Sequence, residues 1–120
     1  MELEQLMEIC AAMPHSTHDI KWENHLCYCV GGKMFILISV NIVPVTASFK
    51  VSDEDFYEMS IHQDCIPAPY LARYKWIFTK DINTFTKQEW QRIIHQAYNV
   101  VYHKLPKKTK EHIENTLFLL

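Results

Sequence analysis

The side chains best suited to chemistry are two cysteines that stand two positions apart, Cys27 and Cys29. In a β-strand, residues two apart share one face, so both thiols would point the same way. Histidines that lie nearby in the sequence could complete a set of zinc ligands; they are His15, His18 and His25. Structural zinc sites usually pair their ligands at spacings such as Cys-x₂-Cys, and no second pair follows here. We therefore expect buried free thiols, which behave as small apolar side chains, and neither a metal nor another cofactor.

The remaining thiols and the carboxylates do not form a recognisable catalytic set. A nucleophilic cysteine needs a base within hydrogen-bond reach of its sulfur. No local signature of such a pair accompanies any of the four cysteines or seven histidines. The acidic run Asp53–Asp55 falls in the first turn of a predicted helix, where carboxylates suit the helix dipole. We expect a protein without enzymatic activity.

Cationic residues are unevenly distributed along the chain. Residues 1–60 contain three Lys and Arg against nine Asp and Glu, whereas residues 61–120 contain nine against five. The densest cluster is a tail formed by Lys104, Lys107, Lys108 and Lys110. The net charge of −2 and the pI of about 6.4 fall short of a strongly basic nucleic-acid domain. Any contact with phosphates should therefore be local and weak.

The stretch PAPYLARYKWIF interleaves cationic and aromatic residues after two prolines. The prolines exclude a helix or a central strand and stiffen the approach to the strand that follows. We expect Trp76 and Phe78 to alternate as core residues and the rings of this stretch to be mostly buried. Arg73 and Lys75 have no core to join, so they are candidate phosphate contacts and should lie near Lys50.

The helices that position these residues are predicted from apolar spacing and caps. A first helix starts near Leu3 and ends at Pro14, and Ser52 caps a short second helix. Thr86 with Glu89 forms a full capping box for a long helix over residues 86–105. The residues that this helix should bury against a sheet include Trp90, Ile94, Tyr98 and Val101. Beyond Pro106 the lysine-rich tail predicts a last helix ending in LFLL.

The strands are predicted from alternation and turn residues. IKW, at residues 20–22, indicates a first strand, and two apolar runs flank Gly31-Gly32, which suits a tight hairpin turn. The second of these runs should direct Met34, Ile36, Ile38 and Val40 to one face and Phe35 and Leu37 to the other. VTASFKV alternates cleanly, with Thr46, Ser48 and Lys50 on the outer face. KWIFT, at residues 75–79, predicts a fifth strand.

These elements predict one α+β domain over residues 1–120, with a five-stranded, mainly antiparallel sheet and helices packed on one face. The acidic start of the chain lacks the features of a signal peptide. No apolar segment reaches the roughly 20 residues that a membrane helix needs. We therefore expect a cytoplasmic protein without a membrane partner, in which thiols stay reduced.

Five stretches together resemble the MmcQ/YjbR-like family, in order and in spacing, across nearly the whole chain. They are Met13-Pro14, Val30–Phe35, Phe49–Val51, Pro67–Trp76 and Ala97–Lys108. Two positions depart from the family pattern: Ala97 replaces a frequent serine, and Lys75 replaces a frequent histidine. Ala97 removes one hydroxyl, whereas Lys75 adds a permanent charge that favours contact with an anion.

The resemblance implies a frataxin-like architecture and a double-winged mode of DNA binding. The wings would be the turn Gly31–Lys33 and the loop Asn41–Pro44. The residues expected to contact DNA are Lys33, Lys50, Arg73, Lys75, Lys107 and Lys108. DNA is therefore the first candidate partner.

Two alternatives remain open at the level of the sequence. The chain could be a protein-interaction module that uses the outer sheet face or the polar stripe of the long helix, formed by Arg92, His95, Asn99 and His103. It could also hold a small molecule between the sheet and the loop 61–73. A DNA-binding protein should collect its positive residues on one surface, whereas an interaction module should expose an apolar patch.

Overall fold

A computed structural model describes the backbone of residues 1–119 and the side chains of residues 1–115. Within these residues the helices are α1 Leu3–Ala11, α2 Asp53–Ser60, α3 Lys87–His103 and α4 Lys107–Leu119. The strands in the same part of the chain are β1 Thr17–Lys21, β2 His25–Val30, β3 Lys33–Ser39, β4 Thr46–Lys50, β5 Cys65–Pro67 and β6 Trp76–Thr79. The expected last helix is present as α4, but the side chains of its LFLL end and residue 120 lie outside the described residues.

The strands form one antiparallel sheet in the order β1-β2-β3-β4-β6-β5. The α+β class is confirmed, but the expectation of five strands is wrong, because residues 1–119 contain six. The additional strand is β5, which escapes prediction because it is short and contains Pro67. It lies at the edge of the sheet, where a proline can be tolerated. The first strand is also longer than predicted, and Trp22 falls in the turn after it, at a φ of 51°.

Side-chain caps begin two of the helices. Thr86 Oγ1 accepts a hydrogen bond from the Glu89 amide at 3.1 Å, and Glu89 Oε1 accepts one from the Thr86 amide at 3.0 Å. The Ser52 hydroxyl accepts from the Asp55 amide at 3.1 Å. Both predicted caps are therefore confirmed, and each satisfies helix N–H groups that have no partner inside the helix. Within residues 1–119, no helix is both long and apolar enough to cross a membrane.

The core lies between one face of the sheet and the helices. All four helices contribute to it, through side chains such as Leu6, Phe56, Trp90 and Ile113. Trp90 is fully buried and donates from Nε1 to the Ile82 carbonyl at 2.7 Å. The Tyr98 hydroxyl donates to the Pro14 carbonyl at 2.9 Å, which joins α3 to the end of the first helical segment. The predicted apolar stripe of α3 is therefore confirmed.

An extra residue interrupts the alternation of β3. Cys29 pairs with Met34 but Tyr28 pairs with Ile36, so Phe35 is the inserted residue of a bulge. Phe35 and Ile36 both join the core, whereas Met34 lines a groove on the opposite face. The prediction that Met34 and Ile36 share a face is wrong because the bulge shifts the alternation by one position.

β6 directs an unexpected residue into the core. Ile77 is fully buried in the core cluster, whereas its neighbours Trp76 and Phe78 line cavities outside that cluster. The expectation that Trp76 is buried is confirmed, since it is 6% exposed, but Phe78 is only half-buried and Ile77 is the residue of this strand that enters the main cluster. Tyr70 and Tyr74 are 99% and 56% exposed, so the expectation of mostly buried rings fails for both. The segment that carries them leads into β6 and is stabilised by its own turns.

Candidate nucleic-acid interface

Three lysines from three parts of the chain line one shallow depression at the end of the sheet. They are Lys33 at the start of β3, Lys50 at the end of β4, and Lys104 directly after α3. The depression measures about 310 Å³ and is also lined by Tyr74 and Trp76. We call this site the basic depression. None of the described residues that line it is acidic, so it carries a local positive charge on a chain of net charge −2.

Lys50 is the least accessible of the three lysines. It is 8% exposed, and its Nζ donates to the Tyr74 carbonyl oxygen. Burial lowers the pKa of Lys50, and the positive charge of Lys104 lowers this pKa further. Asp53 raises the pKa of Lys50, while Lys75 adds a smaller lowering. The expectation that Lys50 lies on an open face of β4 is wrong, because the chain leading into β6 passes over the end of that strand.

Arg73 and Lys75 flank the basic depression through their neighbour Tyr74. The Arg73 guanidinium carbon lies 5.4 Å from the centre of the Tyr74 ring. Lys75 has a left-handed backbone, with a φ of 62°, and its Nζ lies 4.9 Å from the centre of the Phe56 ring. It also lies 5.5 Å from the Tyr57 ring centre. These cation–π contacts direct Lys75 toward α2. Lys75 does not line the depression, although its charge contributes to lowering the pKa of Lys50.

Three of the four tail lysines, Lys107, Lys108 and Lys110, lie on α4, whose first turn packs against the β2–β3 hairpin. A Cβ atom placed on Gly31 would lie 2.7 Å from Leu105 Cδ1 and 3.0 Å from Thr109 Cγ2, which measures how closely the two parts approach. Lys107 and Lys108 are both exposed, and Lys107 Nζ lies 4.0 Å from Glu111 Oε1. The hairpin and the tail therefore belong to the same end of the molecule.

The two expected wings do not lie together. The turn Gly31–Lys33 precedes β3 and the loop Asn41–Pro44 follows it, so they lie at opposite ends of this seven-residue strand. A strand of that length spans roughly 23 Å. The loop lines a different cavity, together with Met1 and Asn83. Only the Gly31–Lys33 turn adjoins the basic depression.

The thiols of β2 show how burial affects cysteine chemistry. Cys27 is fully buried and Cys29 is half-buried. Burial, together with the neighbouring Cys27, raises the pKa of Cys29 to about 11. All four cysteines are free thiols. Among the residues whose side chains are described, no three of His, Cys, Asp and Glu are grouped as metal ligands. The absence of metal from the purified protein stays a prediction.

A larger, apolar groove lies on the sheet face opposite the core. It measures about 590 Å³, and its sides include Trp22 after β1 and residues 69–71 before β6. Met34 lines both this groove and the basic depression, so the two cavities adjoin. Sequence patterns indicated a space between the sheet and the loop 61–73 but did not identify its floor, because the floor depends on the β3 bulge.

The sequence groups Lys104 with the tail lysines and contains no local sign that it lies beside Lys33. The sequence does show that Lys104 directly follows α3. Its proximity to Lys33 at the start of β3, however, depends on how α3 crosses the sheet. The roles of Lys33, Lys50, Arg73, Lys75, Lys107 and Lys108 in DNA binding stay predictions.

Comparisons with known proteins agree on the fold. A family model described as YjbR matches residues 11–100. The chain is similar to the crystal structure of the Deinococcus radiodurans protein DR2400, which has a domain designated DUF419. The two structures superpose with a TM-score of 0.82 and share 21% sequence identity, and the match covers 93% of this chain and 87% of DR2400. The chain is also similar to a Pseudomonas syringae protein at a TM-score of 0.68 and 15% identity, covering 84% of this chain and 99% of that one. No curated protein matches the chain.

Proposed function

The chain belongs to the YjbR family, and from that premise we propose that it contacts the sugar–phosphate backbone of duplex DNA with the basic depression and its cationic neighbours. The observation that carries this proposal is the convergence of Lys33, Lys50 and Lys104 in one depression without an acidic lining residue among those described. Ammonium groups that converge in this way repel one another, and a bound phosphate would relieve that repulsion.

The lysines of the depression would act in different ways. Lys33 and Lys104 are exposed and can each reach a phosphate oxygen. Lys50 is held by the Tyr74 carbonyl, so it adds positive potential from beneath the surface. Arg73 and Lys75 would extend the contact on the side of β6, and the exposed tail lysines on the side of α4.

The proposed binding is weak and largely independent of sequence. Phosphate contacts position a protein on DNA but carry no sequence information directly. The Gly31–Lys33 turn is the wing that adjoins the site, and the loop Asn41–Pro44 takes no part in this contact. We also propose, as the sequence suggests, that the protein has a frataxin-like architecture, is located in the cytoplasm and has no enzymatic activity.

Charge-removing variants test the site directly. The double variant Lys33→Gln/Lys104→Gln removes two exposed cations from the basic depression. Its control, Lys80→Gln/Lys87→Gln, removes two exposed cations elsewhere, and Lys87 lies at the opposite end of α3 from Lys104. Affinity for a fluorescent 20-base-pair duplex at low salt should fall about tenfold or more in the first variant and change little in the control.

Circular dichroism establishes that both variants are folded. Equal losses of affinity in the two variants would mean that the basic depression is not the site. If the wild-type protein does not bind duplex DNA at low salt, the proposal is refuted, and a module without nucleic-acid activity takes its place.

A further inference from the structure

The apolar groove has two aromatic rings at its rim that the fold itself does not use. Trp22 is 68% exposed and Tyr70 is 99% exposed, and both line the groove. Trp22 lies in the turn after β1, whereas Tyr70 belongs to the segment between β5 and β6. Two large rings from distant parts of the chain therefore stand at one cavity with most of their surface in solvent.

Both rim residues also have an unfavourable backbone. The φ angle is 51° at Trp22 and 66° at Tyr70, in the left-handed region that side chains with a Cβ atom rarely adopt. Such conformations persist where the surrounding structure imposes them, and they cluster at ligand-binding sites. Burial of the rings cannot account for these two cases because the rings are exposed. Tight turns hold both residues in this region: Glu23 beside Trp22 also has a positive φ, of 69°, and Leu71 N donates to the Ala68 carbonyl across Tyr70. The observation that concerns a ligand is that both turns leave a large ring exposed at the same groove.

The chemistry of the groove restricts what it can hold. Its floor and sides include Met34, Leu37, Leu71 and Phe78. The polar groups among the lining residues are the hydroxyls of Ser39, Thr46 and Ser48 and the imidazole of His25, in addition to the rim groups. None of the described residues that line the groove carries a carboxylate, an ammonium or a guanidinium group. A charged ligand would lose its hydration there without gaining an ion pair, so an uncharged ligand is favoured.

His25 supplies a further indication of a ligand. Its Nδ1 is buried and has no hydrogen-bond partner among the described residues, and its ring makes an edge contact with Trp22, with centroids 5.8 Å apart. Buried polar atoms normally have a partner in the protein or in ordered water. A His25 side chain without fixed protein bonds can rotate to offer a donor or an acceptor to a molecule in the groove.

We propose that this groove binds an uncharged, ring-bearing small molecule, with Trp22 and Tyr70 packing against its ring and His25 hydrogen-bonding its polar group. The volume of about 590 Å³ lies within the range of small-molecule sites. This binding is separate from the proposed contact with DNA, because the lysines of the basic depression do not line the groove.

A matched pair of fluorescent probes tests the class of ligand. N-phenylnaphthylamine is neutral, and anilinonaphthalene sulfonate adds a sulfonate to the same ring system. In the full-length Lys33→Gln/Lys104→Gln variant, whose adjoining basic depression lacks its two exposed cations, the neutral dye should bind with an affinity at least about tenfold higher than that of the sulfonate, because the sulfonate then loses its hydration in the groove without a counter-charge. Equal affinity, or tighter binding of the sulfonate, would overturn the proposal.

Two rim variants test the position of the site. Trp22→Ala and Tyr70→Ala should each weaken binding of the neutral dye by about five- to tenfold, since an aromatic contact contributes on that scale. Tyr57→Ala is the control, because Tyr57 is 67% exposed and does not line the groove. Both rim residues are exposed, so the variants should fold. Wild-type affinity in both rim variants would show that the groove is not the binding site.

The tryptophans provide a direct readout. Trp22 is exposed, whereas Trp76 and Trp90 are 6% and 0% exposed. The neutral dye should therefore shift the indole N–H signal of Trp22 in an NMR spectrum while leaving that of Trp90 in place. A shift of Trp90 without Trp22 would contradict the proposal. Concentration-dependent dimerisation that is reversed by the dye would identify a second copy of the chain as the occupant and would also overturn it.

Discussion

Tyr70 combines a left-handed backbone with a ring that is 99% exposed, so its conformation is not supported by burial of its own side chain. Its amide position is set by turns on either side, in which Leu71 N donates to the Ala68 carbonyl and Tyr74 N to the Leu71 carbonyl. At a left-handed position of this kind, glycine is more stable than a residue with a Cβ atom. The effect can be measured with two substitutions at one position.

Tyr70→Gly should stabilise the protein relative to Tyr70→Ala by about 1 kcal/mol, because glycine removes the left-handed strain that alanine keeps. Chemical denaturation with urea measures the difference in the free energy of unfolding. The ring itself contributes little to stability, so Tyr70→Ala should lie close to wild type. A Tyr70→Gly protein less stable than Tyr70→Ala would show that the backbone is not strained at this position.

Cys29 is the thiol whose surroundings best allow a test of reactivity. It is half-buried, and burial together with Cys27 raises its pKa to about 11. The thiolate fraction should therefore be small at pH 7 and rise about tenfold for each pH unit up to that pKa. Reaction of the folded protein with a disulfide reagent should be slow at pH 7 and accelerate accordingly, while the unfolded protein reacts at all four thiols. Rapid reaction of Cys29 at neutral pH in the folded protein would contradict the raised pKa of this thiol.

At the scale of elements, the β2–β3 hairpin and α4 depend on each other through Gly31. Its φ is 57°, and an added Cβ would lie 2.7 Å from Leu105 Cδ1, just before α4, and 3.0 Å from Thr109 Cγ2, in the first turn of α4. Gly32 has a φ of 79°, but a Cβ there would meet nothing within 4 Å. Alanine substitutions at these two glycines therefore distinguish two contributions to the loss of stability. Both substitutions strain the backbone, but only the one at Gly31 also crowds neighbouring side chains.

Gly31→Ala should destabilise the protein by roughly 2–4 kcal/mol, from left-handed strain plus overpacking against Leu105. Gly32→Ala should cost about 1–2 kcal/mol, from strain alone. Thermal or urea unfolding of the two variants measures the difference. Equal destabilisation would indicate that Leu105 and Thr109 move aside at little cost, and that the hairpin does not fix the start of α4.

Elements with strong local signals could be predicted from the sequence. Thr86 and Glu89 cap α3 as the capping box indicates, and the apolar stripe of that helix enters the core. β5 could not be predicted, because three residues ending in Pro67 form a strand only when β6 is already beside them. The bulge at Phe35 also has no local signal, since it depends on the register between two strands. That bulge determines which residues face the apolar groove.

At the scale of the whole molecule, the basic depression lies at one end of the sheet, the loop Asn41–Pro44 lies at the other end of β3, and the apolar groove lies on the sheet face opposite the core. The charge asymmetry between the halves of the sequence indicated a basic region, but not that Lys33 and Lys104 would share it. Their proximity follows from the way α3 crosses the sheet, which no local pattern encodes. The two loops named as wings flank β3 on either side, so the topology places them at opposite ends. The basic depression and the apolar groove are thus properties of the assembled sheet.

The salt dependence of DNA binding tests the central claim most directly. The affinity for duplex DNA is measured by fluorescence anisotropy across a series of salt concentrations. Four phosphate contacts, from Lys33, Lys104, Arg73 and Lys75, should give a slope of roughly −3 to −4 in log K against log salt, because each neutralised phosphate contributes about −0.9, and each contact from Lys107 or Lys108 would add about −0.9 more. Lys33→Gln/Lys104→Gln should reduce the magnitude of the slope by about two, whereas Lys80→Gln/Lys87→Gln should leave it unchanged. A slope near zero, or no loss of slope in the first variant, would contradict the assignment of the basic depression as a DNA-backbone contact.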